Sequence, residues 1–390
     1  MPATSTDPGG VGLGGVARLR ALFVRLVDPR ARRGIRHQLA SVLTVAVYAA
    51  LAGAGNFREA ADRIADLPPL LHEAAGTRRD PRTGAFDPPS RDTVRRVIEL
   101  ADAGAADALV CSWPAERAAR VRDGDRDGPW GLAIGGKTVR RSSAPGEREV
   151  KLLAAIRHQE AIVIAQVRVP QQTTETTQSA PLLDGIDLAG AVVTADTAHA
   201  RKATAAYLHA RGARYVFTVK ADKPVLLTQV IDLLASTDRP DHVYDQHRAG
   251  QVVRRSIQVA PAAGHLSFPG VAQAFRLQRE RFDGLGRRIG VEIAHGATSL
   301  PAHEAGPERI AAYVQGHWGI ENKIHRVRDV VFAEDAHHAY RGSATQVMAT
   351  IRSLAIALIR LVGHQKIKAT LQAIAADRLR IPPLLAASRP

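Results

Sequence analysis

Ala191-Val192-Val193-Thr194-Ala195-Asp196 is a run of five apolar or β-branched residues closed by a carboxylate. Such a run favours an extended strand, and the acid stands where that strand passes into a turn. Working outward, short apolar runs at 130–134, 151–156 and 161–169 precede it, and another at 215–219 follows. Segments 178–188 and 198–211 lie between the later runs and have the length of crossover helices. The order is strand-strand-strand-helix-strand-helix-strand. It predicts a mixed sheet between helices, because a helix between two strands returns the chain for parallel pairing.

Beyond the fifth run, a polar, strand-rich segment (222–299) contains strand candidates at 251–259, 274–282 and 288–295. It separates the sheet from Gly316-His317-Trp318-Gly319-Ile320-Glu321-Asn322-Lys323-Ile324-His325-Arg326-Val327-Arg328-Asp329-Val330. Helical spacing places His317, Glu321, His325 and Arg328 on one side, and Ile320, Ile324, Val327 and Val331 in a neighbouring apolar stripe. A carboxylate among imidazoles and cations suits metal-assisted chemistry on phosphates. The plainer reading is a solvated Glu321 paired with Arg328 or Lys323.

Upstream, 16–27, 37–54 and 56–65 have helical patterning, and the loop 78–89 delivers Ser90 as an N-cap for a helix over 91–100. Val94, Val97 and Ile98 then face inward, while Arg91, Arg95 and Arg96 face outward. That is the pattern of a helix-turn-helix reading helix, and equally of a basic surface helix. Lysine and arginine outnumber acids 53 to 38 over 390 residues, a formal charge of +15 that favours a polyanionic partner. The excess gathers at Arg30, Arg32, Arg33 and Arg36 and again near Arg91. A single cysteine, Cys111, excludes an internal disulfide and a cysteine-rich zinc finger. The run 39–54 is too short to span a bilayer, and 343–362 is interrupted by Arg352 and Arg360, so both read as buried helices. No membrane partner is expected, and with no leader visible the expected location is the cytoplasm, beside the nucleoid.

From about Arg33 to Leu361 the chain resembles the H-repeat-associated branch of bacterial insertion-sequence DDE transposases. The resemblance rests on a colinear series of blocks: Asp28-Pro29-Arg30-Ala31-Arg32-Arg33-Gly34-Ile35-Arg36-His37, Pro181-Leu182-Leu183-Asp184-Gly185, Val193-Thr194-Ala195-Asp196, Tyr215-Val216-Phe217-Thr218-Val219-Lys220, and the run from His317. It implies an α/β, ribonuclease-H-like mixed sheet flanked by helices. A β-rich insertion should precede the last catalytic helix, and a helical DNA-binding domain should precede the sheet. The expected divisions are a mobile start (1–16), a helical DNA-binding domain (17–125), the first part of the core (126–221), the insertion (222–303), and core completion with C-terminal helices (304–390). The resemblance also implies double-stranded transposon-end DNA as partner, a homodimer on DNA, and Mg²⁺ or Mn²⁺ held by three carboxylates. Asp196 matches the second of these and Glu321 the third. Lys137, Arg140, Lys220, His317, His325 and Arg328 are expected beside the phosphates, and Glu175 behind the acids. Trp318 is expected to pack under the sheet.

The first acid is missing. Where the family has Ile-Asp-Gly-Lys-Thr, this chain has Ile134-Gly135-Gly136-Lys137-Thr138, so Gly135 stands at the first metal-binding position. Asp125 and Asp127 are the nearest substitutes, with Glu147 and Glu149 beyond the strand. A second departure, Gly250-Gln251-Val252-Val253-Arg254-Arg255, lacks an Arg and an acid of the family pattern. Two readings follow: a transposase impaired in catalysis, or a catalytically inactive, domesticated sequence-specific DNA-binding protein. A scaffolding protein without salt-sensitive DNA binding is a third.

Overall fold

The computed structural model describes residues 13–33, 35–125, 129–144, 146–235, 239–248, 250–339 and 341–388. Six helices come first: α1 (Leu13–Val24), α2 (Leu39–Leu51), α3 (Phe57–Ala65), α4 (Pro69–Ala75), α5 (Arg91–Leu100) and α6 (Ala103–Asp125). Local chemistry sets their starts. The Asn56 side chain accepts hydrogen bonds from the backbone of Arg58 and Glu59, and the Ser90 hydroxyl accepts one from Thr93. As the sequence predicts, Val94, Val97 and Ile98 are the buried face of α5. Helix α1 begins within the stretch expected to be mobile, and Val16 is fully buried; residues 1–12 lie outside the described residues.

The sheet opens with β1 (Trp130–Thr138), β2 (Lys151–Arg157) and β3 (Ile162–Val169). After a 3₁₀ turn at Glu175–Gln178 come α7 (Ser179–Leu183), β4 (Ala191–Ala195), α8 (Lys202–Ala210), β5 (Arg214–Val219) and α9 (Pro224–Leu234). Then follow β6 (His242–Arg248), β7 (Gln251–Pro261), β8 (Gln273–Phe282) and β9 (Arg288–Thr298). The strands form one sheet in the order β3-β2-β1-β4-β5-β9-β8-β7-β6. β1 runs antiparallel to β2 and parallel to β4, and β4 runs parallel to β5. Ile134 pairs with Ala195, so Gly135 stands level with Asp196.

Three expectations are corrected here. The helix expected over 178–188 is shorter, with α7 ending at Leu183. Strand β6 and helix α9 were not foreseen. The inserted strands extend the sheet itself, because β9 continues to Thr298 and pairs antiparallel with β5.

The chain closes with α10 (Pro307–His317), a π-helical turn at Ile320–His325, α11 (Arg326–Val331), α12 (Ala344–Leu361), α13 (Ile367–Ala376) and α14 (Ile381–Ala387). α12 is long and apolar enough to cross a membrane, but 94% of it is buried inside the protein. It is a core helix. Its Leu354 and Ile359 share one hydrophobic cluster with Leu19, Tyr48 and Val97 from the first helices and Leu385 from the last. The N-terminal helices therefore bury their apolar faces against the C-terminal ones.

Candidate functional site

A cavity of about 530 Å³ opens where the parallel strands β1, β4 and β5 end. In open α/β sheets this is the usual crevice, since strand carboxyl ends and the following loops surround it. Gly135, Gly136 and Thr138 from β1 line it, with Asp196 after β4 and Lys220 after β5. His317, Trp318, Ile320 and Glu321 close it from the helical side, and Arg279 and Glu292 from the inserted strands. The structure thus brings Gly135, Asp196 and Glu321 to one cavity.

Each acid is held differently. An Asp196 carboxylate oxygen accepts from the Ala198 amide at 3.1 Å, which closes a tight turn; it is not the N-cap of α8, where Arg201 stands. Glu321 sits 3.3 Å from His325 Nδ1, and that hydrogen bond holds its carboxyl below the usual range. Glu175, from the 3₁₀ turn, also faces the cavity. Burial opposes its ionisation, but His199 at 3.0 Å and an ion pair with Lys151 overcome this and lower its pKa to about 2. A Cβ on Gly136 would meet the Glu175 carboxyl, so a larger residue at 136 would have to push that side chain aside.

No group of three or more His, Cys, Asp or Glu able to hold a metal exists among the described residues. At 135, a Cβ would meet Ile320 Cδ1 at 3.0 Å, so an apolar side chain borders this position. Asp127 and the Asp125 side chain lie outside the described residues, and Glu149 is turned to the Arg141 amide.

Several residues expected beside phosphates are instead structural. Arg328 is 1% exposed and pairs with Glu334 at 2.7 Å; Arg352 joins the same carboxylate. Lys137 is 8% exposed and pairs with Asp329 at 2.7 Å and Asp335 at 3.4 Å. His325 is buried against Glu321. The run is π-helical over Ile320–His325, where Glu321 is exposed while His325 and, beyond it, Arg328 are buried. His317 does line the cavity, 3.3 Å from the Thr194 hydroxyl. Burial lowers its pKa to about 4 against the opposing pull of Asp196 and Glu321, so it is neutral near pH 7. Arg140 stays exposed, 3.8 Å from Asp335. Trp318 is at the cavity rim with the Arg279 guanidinium 5.7 Å from its ring, not packed under the sheet.

On the helical layer, a groove of about 720 Å³ is lined by Arg30, Arg33, Arg36, Ser90, Thr93 and Arg96, among others. Here the arginine-rich loop meets the amino end of α5. Arg30 is tied down, its guanidinium bonded to Asp28 and to the His37 carbonyl. Arg95 pairs with Glu99 at 3.0 Å and Arg91 with Asp92 at 3.3 Å. Arg32, Arg33, Arg36 and Arg96 are exposed. Sequence reasoning missed Lys151, Arg279 and Glu292, because only the strand register carries them to the cavity.

The fold and cavity define an α/β protein with one acid at a strand end and another on a helical turn facing the same cavity, and a basic groove on its helical layer. The transposase DDE domain family matches residues 120–358, and its associated domain matches residues 20–114. YncI of Escherichia coli O157:H7, which bears a transposase name, is 25% identical over 357 residues, covering 85% of each chain. The H repeat-associated protein YhhI of Escherichia coli K12 is 24% identical over 352 residues, covering 85% of this chain and 87% of that one. A piggyBac transposase synaptic complex with hairpin DNA covers 95% of this chain and 79% of its own at 11% identity and a TM-score of 0.41, too distant a likeness to carry an argument. The chain belongs to the DDE transposase family.

Proposed function

We propose that this protein binds the double-stranded ends of a mobile DNA element and is impaired in cutting and joining them. The observation that carries the reading is the convergence of Asp196 and Glu321 on one strand-end cavity that Gly135, at the first acid position of the family pattern, also lines. The order β3-β2-β1-β4-β5 with its two parallel pairs is read as the ribonuclease-H-like core. In the family, divalent ions supply the chemistry. Here Gly135 offers no side-chain ligand and Ile320 crowds its place, which favours retained binding over cleavage.

The duplex contact is assigned to the groove between the arginine loop and α5. Arg32, Arg33, Arg36 and Arg96 would neutralise backbone phosphates, while the N-capped start of α5 approaches the bases. The site of action is then the nucleoid in the cytoplasm, and a homodimer would hold two ends. Fluorescence anisotropy with matched and scrambled end duplexes at graded salt tests the reading. The expected result is tighter binding to matched ends, with affinity falling steeply as salt rises; salt-insensitive or absent binding overturns it.

A further inference from the structure

The strands inserted after β5 form a sheet arm whose two faces are charged in different ways. On the outer face each of two arginines has its own acid: Arg254 pairs with Asp245 at 2.9 Å, and Arg288 with Glu280 at 3.1 Å. On the face turned to α10, Arg255 of β7 stands directly across from Arg279 of β8, and Arg281 follows two residues on. Like charges directly opposed on a sheet destabilise it. The acid there is Glu292, which pairs with Arg279 at 2.9 Å.

The Arg281 side chain has no hydrogen bond or ion pair among the described residues, and its buried Nε is unpartnered, as is the Nε of Arg279. Its guanidinium lies flat over Gly290: a Cβ there would come within 2.8 Å of Arg281 Nη2, so glycine makes room for it. Arg279 reaches the rim of the acidic cavity beside Trp318. The terminal donors of Arg281, which is half-buried and two residues along β8 from the cavity-lining Arg279, have no side-chain acceptor, and the matching chemistry is a chain of phosphodiesters.

We infer that the inner face of this arm, through Arg279 and Arg281, binds the backbone of a single DNA strand leaving the cavity. The inference rests on the DNA-binding reading above and adds a second contact surface, separate from the groove at α5. It also gives Glu292 a role: it competes with the strand for Arg279.

The test is fluorescence anisotropy with two probes, a blunt duplex and the same duplex carrying a single-stranded tail, at graded salt. Arg281→Gln should weaken binding of the tailed probe about tenfold, the loss of roughly one charge-assisted hydrogen bond. It should also make its salt dependence shallower, by about 0.7 per lost phosphate contact. Binding of the blunt probe should not change. Arg281→Lys should keep the salt slope, and Glu292→Gln should tighten the tailed probe. Equal affinity of the unaltered protein and Arg281→Gln for the tailed probe overturns the inference while leaving the groove intact. An equal loss on both probes overturns it as well, by showing a general charge effect. No binding of either probe by the unaltered protein overturns the DNA reading and this inference together.

Discussion

Two features meet at position 135. Glycine supplies no carboxylate, and Ile320 Cδ1 would lie 3.0 Å from a Cβ built there, closer than ordinary carbon contact. An acid at 135 therefore has to shift the end of an isoleucine that packs in the core cluster. Gly135→Asp alone should bind Mn²⁺ weakly and cost stability. Gly135→Asp with Ile320→Ala should bind it measurably more tightly, read by calorimetry. Equal Mn²⁺ affinity in the two variants would show that Ile320 does not obstruct the site. The family resemblance implies an acid at 135, but the sequence does not reveal that Ile320 faces it, because the two lie far apart along the chain and only the fold brings them together. Glu321 was legible as the acid of a cation-rich helical run, whereas the burial of Arg328 against Glu334 depends on tertiary packing.

Elements bring the charges together. The strands were readable because each is a short run of apolar and β-branched residues. The pairing of β5 with β9 was not, since the partners lie far apart in sequence and nothing local sets their register. Helix α5 was legible to its ends because Ser90 caps it and its apolar positions recur at helical spacing. Its outward arginines divide: Arg91 and Arg95 have acidic neighbours, whereas Arg96 opens on the groove. Arg33→Ala with Arg36→Ala and Arg96→Ala should reduce duplex affinity about a hundredfold at moderate salt and flatten the salt slope by about 2 to 3. Arg91→Ala should change it little. If the Arg91 variant lost as much as the triple variant, the contact face would lie elsewhere on α5. A different element carries stability: Glu334, 1% exposed, holds Arg328 and Arg352. Glu334→Ala should lower unfolding free energy by about 3–5 kcal/mol, because two buried guanidiniums lose their acid. A loss below about 1 kcal/mol in urea melts would mean that the network is relieved by water.

At the scale of the whole molecule, buried imidazoles set the response to acid. Burial lowers His158 to about 3 and His317 and His337 to about 4, with His37, His72 and His295 shifted the same way. Between those values and the ordinary 6.5, the unfolded chain binds protons that the folded chain refuses, so stability falls as pH drops from about 6.5 to 4. Asp107, raised to about 7 by burial despite bonds from Thr350, Gln346 and Gln166, acts in the opposite sense: its protonation favours the folded state as pH falls. The imidazoles outnumber it, so the urea midpoint should decline over that window. A midpoint that rises toward pH 4 would show Asp107 dominating.

On this reading the chain holds DNA ends in a DDE-family fold with glycine at the first acid position. The most direct test is one assay of purified full-length protein with labelled end duplex in Mg²⁺ and then Mn²⁺, following bound fraction and strand nicking together. Salt-sensitive complex formation with no metal-dependent nicking above background is the predicted result. Robust metal-dependent nicking that disappears with Asp196→Ala or Glu321→Ala would contradict the claim, because the site would then be complete without an acid at 135.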